Sequence, residues 1–357
     1  MVTDALDCVN GLGKTLRAGR ASVPNGASGR TAGDFHMDWF ERITGFSEGG
    51  YGDTQAALRV EDGRLRTDQS ARACWVGELE TPSLAELRQR VQGIALKPGE
   101  LKLSTLQGDV RRLHGQPLNS QALFQVASQF NLLEMANPDL TPEDGVTRYQ
   151  DDRTQGPACA IAAGAATIYR NYLMPVAGGK GQSAARQIDC LADIGQALGG
   201  AGQLWEMRNG YALCTEQGLA EIDRRIAAMS AGELDALRGL LRIGLHWDVE
   251  ATEAPAPDQR VSQAFCSALP VAYSAVAPER WQRFATLVLE AAYEATLLAG
   301  VLNLERTGCP TVFLTSLGGG AFGNREEWIE AARTRACEAV GGYDLDVRLV
   351  SFGQPKK

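Results

Sequence analysis

The sequence is poor in the residues that build metal centres, redox sites and nucleophilic triads. Its 357 residues include only three histidines, His36, His114 and His246, and these show no ligand spacing. A histidine-based metal site or a Ser-His-Asp triad is therefore disfavoured. The eight cysteines occur singly, and no pair has Cys-x-x-Cys spacing, which argues against a zinc knuckle or a redox dithiol.

Positive charge is also in deficit, with 35 Lys and Arg against 43 Asp and Glu and a net charge of −8. Proteins that bind nucleic acid depend on basic faces, so no nucleic-acid partner is expected. The sequence shows neither a signal-peptide pattern nor an apolar run suited to crossing a bilayer, so no membrane partner is expected. Cysteines within apolar runs, such as Cys159 and Cys266, fit buried free thiols. Together these features predict a cytoplasmic protein.

The remaining composition allows one large domain, since 44% of the residues are hydrophobic. Residues 1–33 are rich in Gly, Ser, Arg and Ala and predict a flexible tail. Residues 34–357 are predicted to form a single extended domain. Within it, 34–100 is an N-terminal extension, and 176–240 is an insertion of helices and a hairpin that turns at Asn209-Gly210.

Strand and helix patterns alternate along most of this domain. Strands are predicted near 102–110, 122–131, 241–247, 261–269, 312–315 and 346–352, and helices at 158–172, 280–304 and after Asn324. Such alternation predicts an α/β fold with a mixed, mainly parallel sheet and helices on both faces. Ligands of these sheets bind at the carboxyl ends of the strands.

Two loops carry the residues of chemical interest. The strand at 312–315 leads into the glycine turn 318–323 and then to Asn324, a predicted helix N-cap. Bare amides at a helix N-terminus suit an anion, although a purely structural turn is an equal alternative. The second loop, at 137–157, contains Glu143, Asp144, Asp151 and Asp152. Loops this long are usually functional, while a solvated acidic loop is the plainer interpretation.

Four stretches, taken in order, resemble the macrodomain family, the ADP-ribose-binding α/β/α module. They are Gly108-Asp109-Val110, residues 126–131 (Val-Ala-Ser-Gln-Phe-Asn), residues 156–164 (Gly-Pro-Ala-Cys-Ala-Ile-Ala-Ala-Gly) and residues 315–324. Each stretch alone is weak evidence for the family, and the shared order and spacing of all four make the resemblance specific. The resemblance covers roughly residues 100–175 and 240–353 and implies a three-layer α/β/α macrodomain-like fold. The family's glycine triplet in the first loop is missing, and acidic residues stand in its place.

The resemblance implies a site for ADP-ribose. Asp109 would accept a hydrogen bond from the adenine amino group, the Val110 amide would bind a ring nitrogen, and Asn131 would bind the distal ribose. Without the other motifs, Asp109 is more simply a turn residue or helix cap, and Asn131 a turn residue. The amides of 319–322 would hold the diphosphate, and Phe322 would pack against the ribose. The other ligand-binding positions implied are Gly156, Gly318, Gly319, Gly320, Ala321, Gly323 and Asn324.

Cleavage at the anomeric carbon passes through an oxocarbenium-like centre that needs a nearby anion and a base. Asp152 is the first candidate, Asp151 and Asp144 follow, and Glu134 is an outside candidate. No cofactor is required by this chemistry, although acidic side chains are also able to hold Mg²⁺. The prediction is an ADP-ribosyl hydrolase acting on ADP-ribosylated protein, with arginine-linked ADP-ribose favoured by charge. The alternative is a non-catalytic reader of ADP-ribose or a related nucleotide.

Overall fold

The computed structural model describes residues 37–352, so the predicted tail at 1–33 lies outside the described part of the chain. The strands of this part are β1 (Arg59–Glu61), β2 (Arg64–Arg66), β3 (Cys74–Trp75), β4 (Glu78–Glu80), β5 (Lys102–Gln107), β6 (Leu123–Ala127), β7 (Pro175–Val176), β8 (Gly179–Lys180), β9 (Trp205–Arg208), β10 (Tyr211–Cys214), β11 (Gly244–Glu250), β12 (Arg260–Cys266), β13 (Thr311–Leu314) and β14 (Asp346–Ser351). The helices are α1 (Trp39–Thr44), α2 (Tyr51–Ala57), α3 (Leu84–Gln92), α4 (Val110–His114), α5 (Gln155–Ala162), α6 (Gly164–Ile168), α7 (Ala192–Ala197), α8 (Ala201–Leu204), α9 (Glu216–Ala227), α10 (Ala231–Gly239), α11 (Gln282–Thr307) and α12 (Glu326–Ala339).

A seven-stranded sheet in the order β4-β11-β12-β6-β13-β14-β5 forms the centre of the described residues. The five strands from β12 to β5 pair in parallel, and β11 is antiparallel to both of its neighbours. The predicted mixed, mainly parallel sheet is therefore confirmed. Because the parallel strands share one direction, the loops that follow β6, β13 and β5 leave the sheet at the same edge.

Alternate side chains of β6 contact helices on opposite faces of the sheet. Phe124 stacks on His114 of α4, with the ring centroids 3.8 Å apart. The next residue, Gln125, donates a hydrogen bond to Thr296 of α11 at 3.0 Å. Successive strand residues point to opposite faces, so α4 and α11 cover different sides and the three-layer arrangement is confirmed.

The predicted helix at 158–172 is wrong in detail, because the chain forms α5, α6 and a π-helical turn at Tyr169–Leu173. Thr252 enters the break between α5 and α6. Its backbone N–H donates to the Ala162 carbonyl at 2.9 Å, and its hydroxyl accepts the Gly164 N–H at 3.1 Å. A group inserted into the helical hydrogen-bond ladder in this way ends the helix.

The predicted strand at 122–131 is also too long. β6 ends at Ala127, whose N–H donates to the side chain of Gln155 at 2.8 Å. The following residues turn instead of extending, and Leu132 adopts a positive φ of 64°. This early end of β6 creates the loop that carries Glu134.

The core helix α11 was expected over 280–304 and extends to Thr307. By length and composition alone, Pro278–Thr307 is able to span a membrane, a feature that the sequence analysis overlooked. Its most apolar window is 83% buried inside the fold, as in the core helix of a globular protein.

The extension, the insertion and the core helices meet at Glu294 of α11, whose side chain is only 6% exposed. Its carboxylate accepts hydrogen bonds from Arg88 of α3 at 2.5 and 3.0 Å and from Arg335 of α12. Asp235 of α10 accepts from the same two arginines. These two carboxylates and two arginines thus join four helices, α3, α10, α11 and α12.

We expect Glu294→Gln to destabilise the protein by about 3 kcal/mol, because it leaves two guanidinium groups without their buried counter-charge. Urea unfolding followed by circular dichroism measures the effect. Glu221→Gln is the matched control, since Glu221 pairs with Arg224 and Arg225 on the exposed face of α9 and should shift the midpoint little. Equal shifts for both variants would contradict the role given to Glu294.

Candidate active site

A cleft of about 170 Å³ lies where the loops after β6 and β13 meet the N-terminus of α5. Its position at the carboxyl ends of parallel strands is the usual ligand site of such sheets. It is lined by Ala127, Ser128, Gln129, Glu134, Met135, Ala136, Asp152, Thr154, Gln155, Gly156, Pro157, Tyr211, Ala268, Tyr273, Thr315, Ser316, Leu317, Gly318, Gly320, Ala321 and Phe322.

The glycine loop after β13 lines this cleft through Gly318, Gly320, Ala321 and Phe322. Within residues 37–352, no protein group accepts a hydrogen bond from the N–H of Gly320, Ala321 or Phe322. The Gly319 amide differs, since it donates to the Ser316 carbonyl at 3.1 Å. Three of the four amides expected to hold a diphosphate are therefore available to a ligand.

Asn324 fixes the shape of this loop rather than capping the next helix. Its side chain donates to the Leu269 carbonyl at 2.8 Å, and the N-cap of α12 is Arg325, which makes no side-chain cap. The predicted N-cap at Asn324 is therefore wrong. Gly318 has a φ of 74°, and a Cβ there would lie 2.4 Å from the Ala268 Cβ, so the close approach requires glycine.

Glu134 supplies a buried carboxyl group to the cleft. Glu134 is 4% exposed, and its Oε1 atom has no hydrogen-bond partner within residues 37–352. Burial raises the pKa of Glu134 well above its ordinary value, the positive charge of Arg170 opposes the shift, and the negative charge of Asp152 adds to it. A carboxyl group in this environment holds its proton at a higher pH than usual and so suits a general acid.

The turn that carries Glu134 is braced on several sides. Gln129 accepts the Met135 N–H at 2.7 Å and donates to the Met135 carbonyl at 3.2 Å. Arg170 donates to the carbonyl of Leu132 at 3.1 Å, where φ is 64°. Left-handed backbone in a residue other than glycine costs on the order of 1–3 kcal/mol and persists only where its surroundings enforce it. These contacts fix the position of Glu134.

Arg170 is fully buried and donates to neutral groups. Its guanidinium bonds Thr167 Oγ1 at 3.0 Å and His246 Nδ1 at 3.1 Å, and it lies 3.9 Å from the ring centroid of Phe265. Because arginine only donates, His246 Nδ1 is the acceptor, and the neutral ring carries its proton on Nε2. Desolvation, followed by the charge of Arg170, lowers the pKa of His246 well below its ordinary value. Because none of these partners is charged, the positive charge of Arg170 is left to offset part of the negative charge of a Glu134 carboxylate.

Asp152 reaches the cleft at the N-terminus of α5. Its Oδ1 accepts the Thr154 N–H at 2.8 Å, which holds the side chain beside the first turn of the helix. The helix itself lies against Glu134 because residue 156 is glycine. A Cβ at Gly156 would lie 2.0 Å from the Ala127 carbonyl oxygen and 2.2 Å from Glu134 Oε2.

The other acidic side chains of the loop at 137–157 make contacts elsewhere or are exposed. Asp144 accepts from the backbone N–H of Thr141 at 2.8 Å, which stabilises its own turn. Glu143 accepts the Ala184 N–H at 2.8 Å, and Asp151 is exposed. Neither Asp144 nor Asp151 lines the cleft. Of the three predicted catalytic aspartates, the structure brings only Asp152 to this site.

Two residues assigned to nucleotide contacts also lie away from the cleft lining. Asn131 is completely buried, and its side chain donates to Gln187 at 2.8 Å and accepts the Leu133 N–H at 3.1 Å. Asp109 accepts the Arg111 N–H at 2.9 Å as the N-cap of α4. It follows β5, and β14 separates that strand from β13. Both residues thus have structural partners, and their contacts with a nucleotide stay predictions.

Six of the predicted site residues line one cleft, and the others do not. Those in the lining are Asp152, Gly156, Gly318, Gly320, Ala321 and Phe322. Those outside it are Asp109, Val110, Asn131, Asp144, Asp151, Gly319, Gly323 and Asn324.

The sequence analysis missed an aromatic wall on one side of the cleft. Tyr211, Tyr273 and Phe322 pack together with centroid separations of 5.2, 5.3 and 5.6 Å. Tyr211 comes from the β9–β10 hairpin of the insertion, and its hydroxyl donates to the Met135 carbonyl at 2.5 Å. No local pattern in the sequence links this hairpin to the loop after β6.

No protein-family model and no curated protein sequence matches the chain. Among solved structures, it is similar to poly(ADP-ribose) glycohydrolase from Thermomonospora curvata bound to the inhibitor ADP-HPD, with 14% identity and a TM-score of 0.40 over 86% of this chain and 93% of that one. It is also similar to poly(ADP-ribose) glycohydrolase from Deinococcus radiodurans in complex with ADP-ribose, with 13% identity and a TM-score of 0.40 over 87% and 94%. The IBV X-domain shows 13% identity and a TM-score of 0.28 over 72% and 94%.

The part of the chain that the structure describes has a three-layer α/β/α fold. Its mixed sheet between two helical layers agrees with the resemblance found in the sequence.

We expect Gly156→Ala to destabilise the protein by about 1–3 kcal/mol, because the added methyl group overlaps the Ala127 carbonyl and the Glu134 carboxyl. Urea unfolding measures the loss. Gly202→Ala is the control, since a Cβ there meets no atom within 4 Å. An unchanged midpoint for Gly156→Ala would show that α5 and Glu134 are less tightly packed than described.

Proposed function

We propose that the protein binds ADP-ribose in this cleft and hydrolyses the bond between ADP-ribose and a protein side chain. One observation carries the proposal. Within residues 37–352, the buried Glu134 carboxyl group has an oxygen without a hydrogen-bond partner, and it shares the cleft with a glycine loop in which the amides of Gly320, Ala321 and Phe322 have no acceptor. The loop suits an anionic diphosphate, and the carboxyl group suits acid catalysis.

The amides of Gly320, Ala321 and Phe322 bind the diphosphate in this proposal. Backbone N–H groups at a glycine turn ahead of a helix approach phosphate oxygens closely. The distal ribose then lies against the aromatic wall of Tyr211, Tyr273 and Phe322, which directs its anomeric carbon toward the two carboxyl groups.

Glu134 and Asp152 divide the catalytic work. The protonated Glu134 donates its proton to the leaving group as the bond from the anomeric carbon breaks. The Asp152 carboxylate stabilises the positive charge that develops on the ribose and accepts a proton from the attacking water. The water oxygen forms the new bond to the anomeric carbon, so the products are ADP-ribose and the free side chain. No metal takes part in this sequence.

We further propose that the favoured substrate is a protein ADP-ribosylated on arginine. A guanidinium leaving group is cationic and planar, so it suits a cleft lined by the Asp152 carboxylate and the exposed ring of Tyr273. Tyr273, 37% exposed, is the aromatic residue best placed to meet such a group.

The direct test incubates the protein with arginine-linked mono-ADP-ribosylated protein in the presence of EDTA and follows the release of ADP-ribose. Glu134→Gln and Asp152→Asn should each lower turnover by about 10²- to 10⁴-fold, since each removes one proton-transfer or charge-stabilising group. Binding of ADP-ribose by calorimetry should change little in both. Asp151→Asn and Asp144→Asn are the matched controls and should keep full activity.

Other outcomes of this test separate the alternatives. ADP-ribose binding without turnover on arginine-, serine- or glutamate-linked substrates would identify a non-catalytic reader. Turnover of another linkage alone would overturn the arginine assignment. Full activity of Glu134→Gln would exclude Glu134 as the acid.

The raised pKa of Glu134 gives a second prediction that does not depend on activity. An unfolded glutamate ionises near pH 4.3, whereas the buried one ionises at a higher pH, so rising pH favours the unfolded chain in that window. Glu134→Gln does not ionise and should therefore gain stability over wild type by about 1.4 kcal/mol per pH unit between the two pKa values. Urea unfolding from pH 4.5 to 8.5 measures the gap.

The control for this comparison is Asp151→Asn, a carboxyl-to-amide change on the exposed part of the loop. A constant difference between Glu134→Gln and wild type across the pH range would show that the Glu134 carboxyl titrates normally. Turnover of the wild type should also fall as pH rises through the raised pKa of Glu134, because the ionised side chain has no proton to donate.

A further inference from the structure

Glu48 of the N-terminal extension binds both the acidic loop and the π-helical turn Tyr169–Leu173. Its carboxylate accepts hydrogen bonds from the Val146 N–H at 2.8 Å, the Thr147 N–H at 2.7 Å and the Tyr172 hydroxyl at 2.7 Å. The indole of Trp39, also in the extension, donates to the Thr147 carbonyl at 3.1 Å. The extension therefore binds two backbone N–H groups, of Val146 and Thr147, and the backbone carbonyl of Thr147.

This segment is the 3-10 turn Thr147–Asp151, which Glu48 caps from outside, because no side chain of the turn's own N-cap does so. Gly145, with a φ of 80°, allows the approach, since a Cβ there would overlap the Glu48 carboxylate. An unsatisfied buried N–H costs more than an ordinary hydrogen bond contributes, so the turn depends on this carboxylate.

The turn reaches both carboxyl groups of the cleft. Tyr149 lies within it, and its buried hydroxyl accepts the backbone N–H of Glu134 at 3.0 Å. Asp152 ends the turn, and its N–H donates to the Tyr149 carbonyl at 3.3 Å. Neither Glu48 nor Tyr149 lines the cleft, so neither is placed to contact a substrate.

We infer that Glu48 is a positioning residue for the catalytic pair, which it orients through the turn 147–151. It acts on Glu134 by way of the Tyr149 hydroxyl and on Asp152 by way of the end of the turn. The inference rests on the proposed function, and it makes the extension a working part of the active site. A displacement of about 1 Å at a reacting group lowers turnover by about 100-fold, so a loosened turn should act on kcat.

The kinetic arm compares wild type, Glu48→Gln and Tyr149→Phe on the ADP-ribosylated protein. Glu48→Gln should lower kcat by about 10- to 100-fold, with KM and the Kd for ADP-ribose within about threefold, because the glycine loop is untouched. The double variant should lose less than the product of the two single effects, since both act in part through Tyr149. Glu143→Gln is the matched control, because its carboxylate holds the Ala184 amide instead and should leave kcat unchanged.

A second arm is independent of activity. Hydrogen–deuterium exchange should speed up in Glu48→Gln at segments 130–136 and 146–154 and stay unchanged at 311–324. No turnover by the wild type refutes the proposed function, while local exchange changes in this arm still support the positioning contact.

Two results would overturn the inference. One is a Glu48→Gln variant with the kcat of wild type and unchanged exchange at 130–136. The other is a loss of kcat matched by an equal loss of ADP-ribose binding and by faster exchange along the whole described chain, as expected of general destabilisation.

Discussion

A buried carboxyl oxygen without a hydrogen-bond partner is costly, and Glu134 has one among the residues that the structure describes; much of the surrounding structure holds this side chain in place. The turn that carries it contains a left-handed Leu132 held by Arg170, and Gln129 spans it from within. Gly156 allows α5 to pack directly against the carboxyl group. The left-handed backbone at Leu132 and the desolvated carboxyl group of Glu134 persist because elements on several sides enforce their positions.

The extension and the insertion both contact the loops that form the cleft. The extension holds the acidic loop through Glu48 and also supplies the edge strand β4 of the central sheet. The insertion supplies Tyr211 to the aromatic wall, and the hydroxyl of that residue binds the carbonyl of Met135 next to Glu134. Contacts across the sequence, rather than local ones, therefore set the chemistry of this site.

The fold could be predicted from the sequence to a large extent, because it depends on patterns that are local. Continuous, mainly apolar runs in β6 and β13 indicate buried strands, and the glycine turn marks the loop after β13. The predictions failed where a distant residue competes for a backbone group. Thr252 breaks the predicted helix at Ala162, Gln155 ends β6 at Ala127, and Asn324 binds the Leu269 carbonyl instead of capping α12.

The sequence by itself determined the class of fold, the glycine loop and the presence of an acidic loop, since composition and spacing are sufficient for these. Only the tertiary structure decided which carboxyl groups share the cleft. Glu134, the last of the candidate catalytic residues predicted from the sequence, is buried there, whereas Asp144 and Asp151 are exposed on their loop. The reason is physical: desolvation, charge and hydrogen bonding at a side chain depend on what surrounds it in space, and its neighbours in sequence do not fix these.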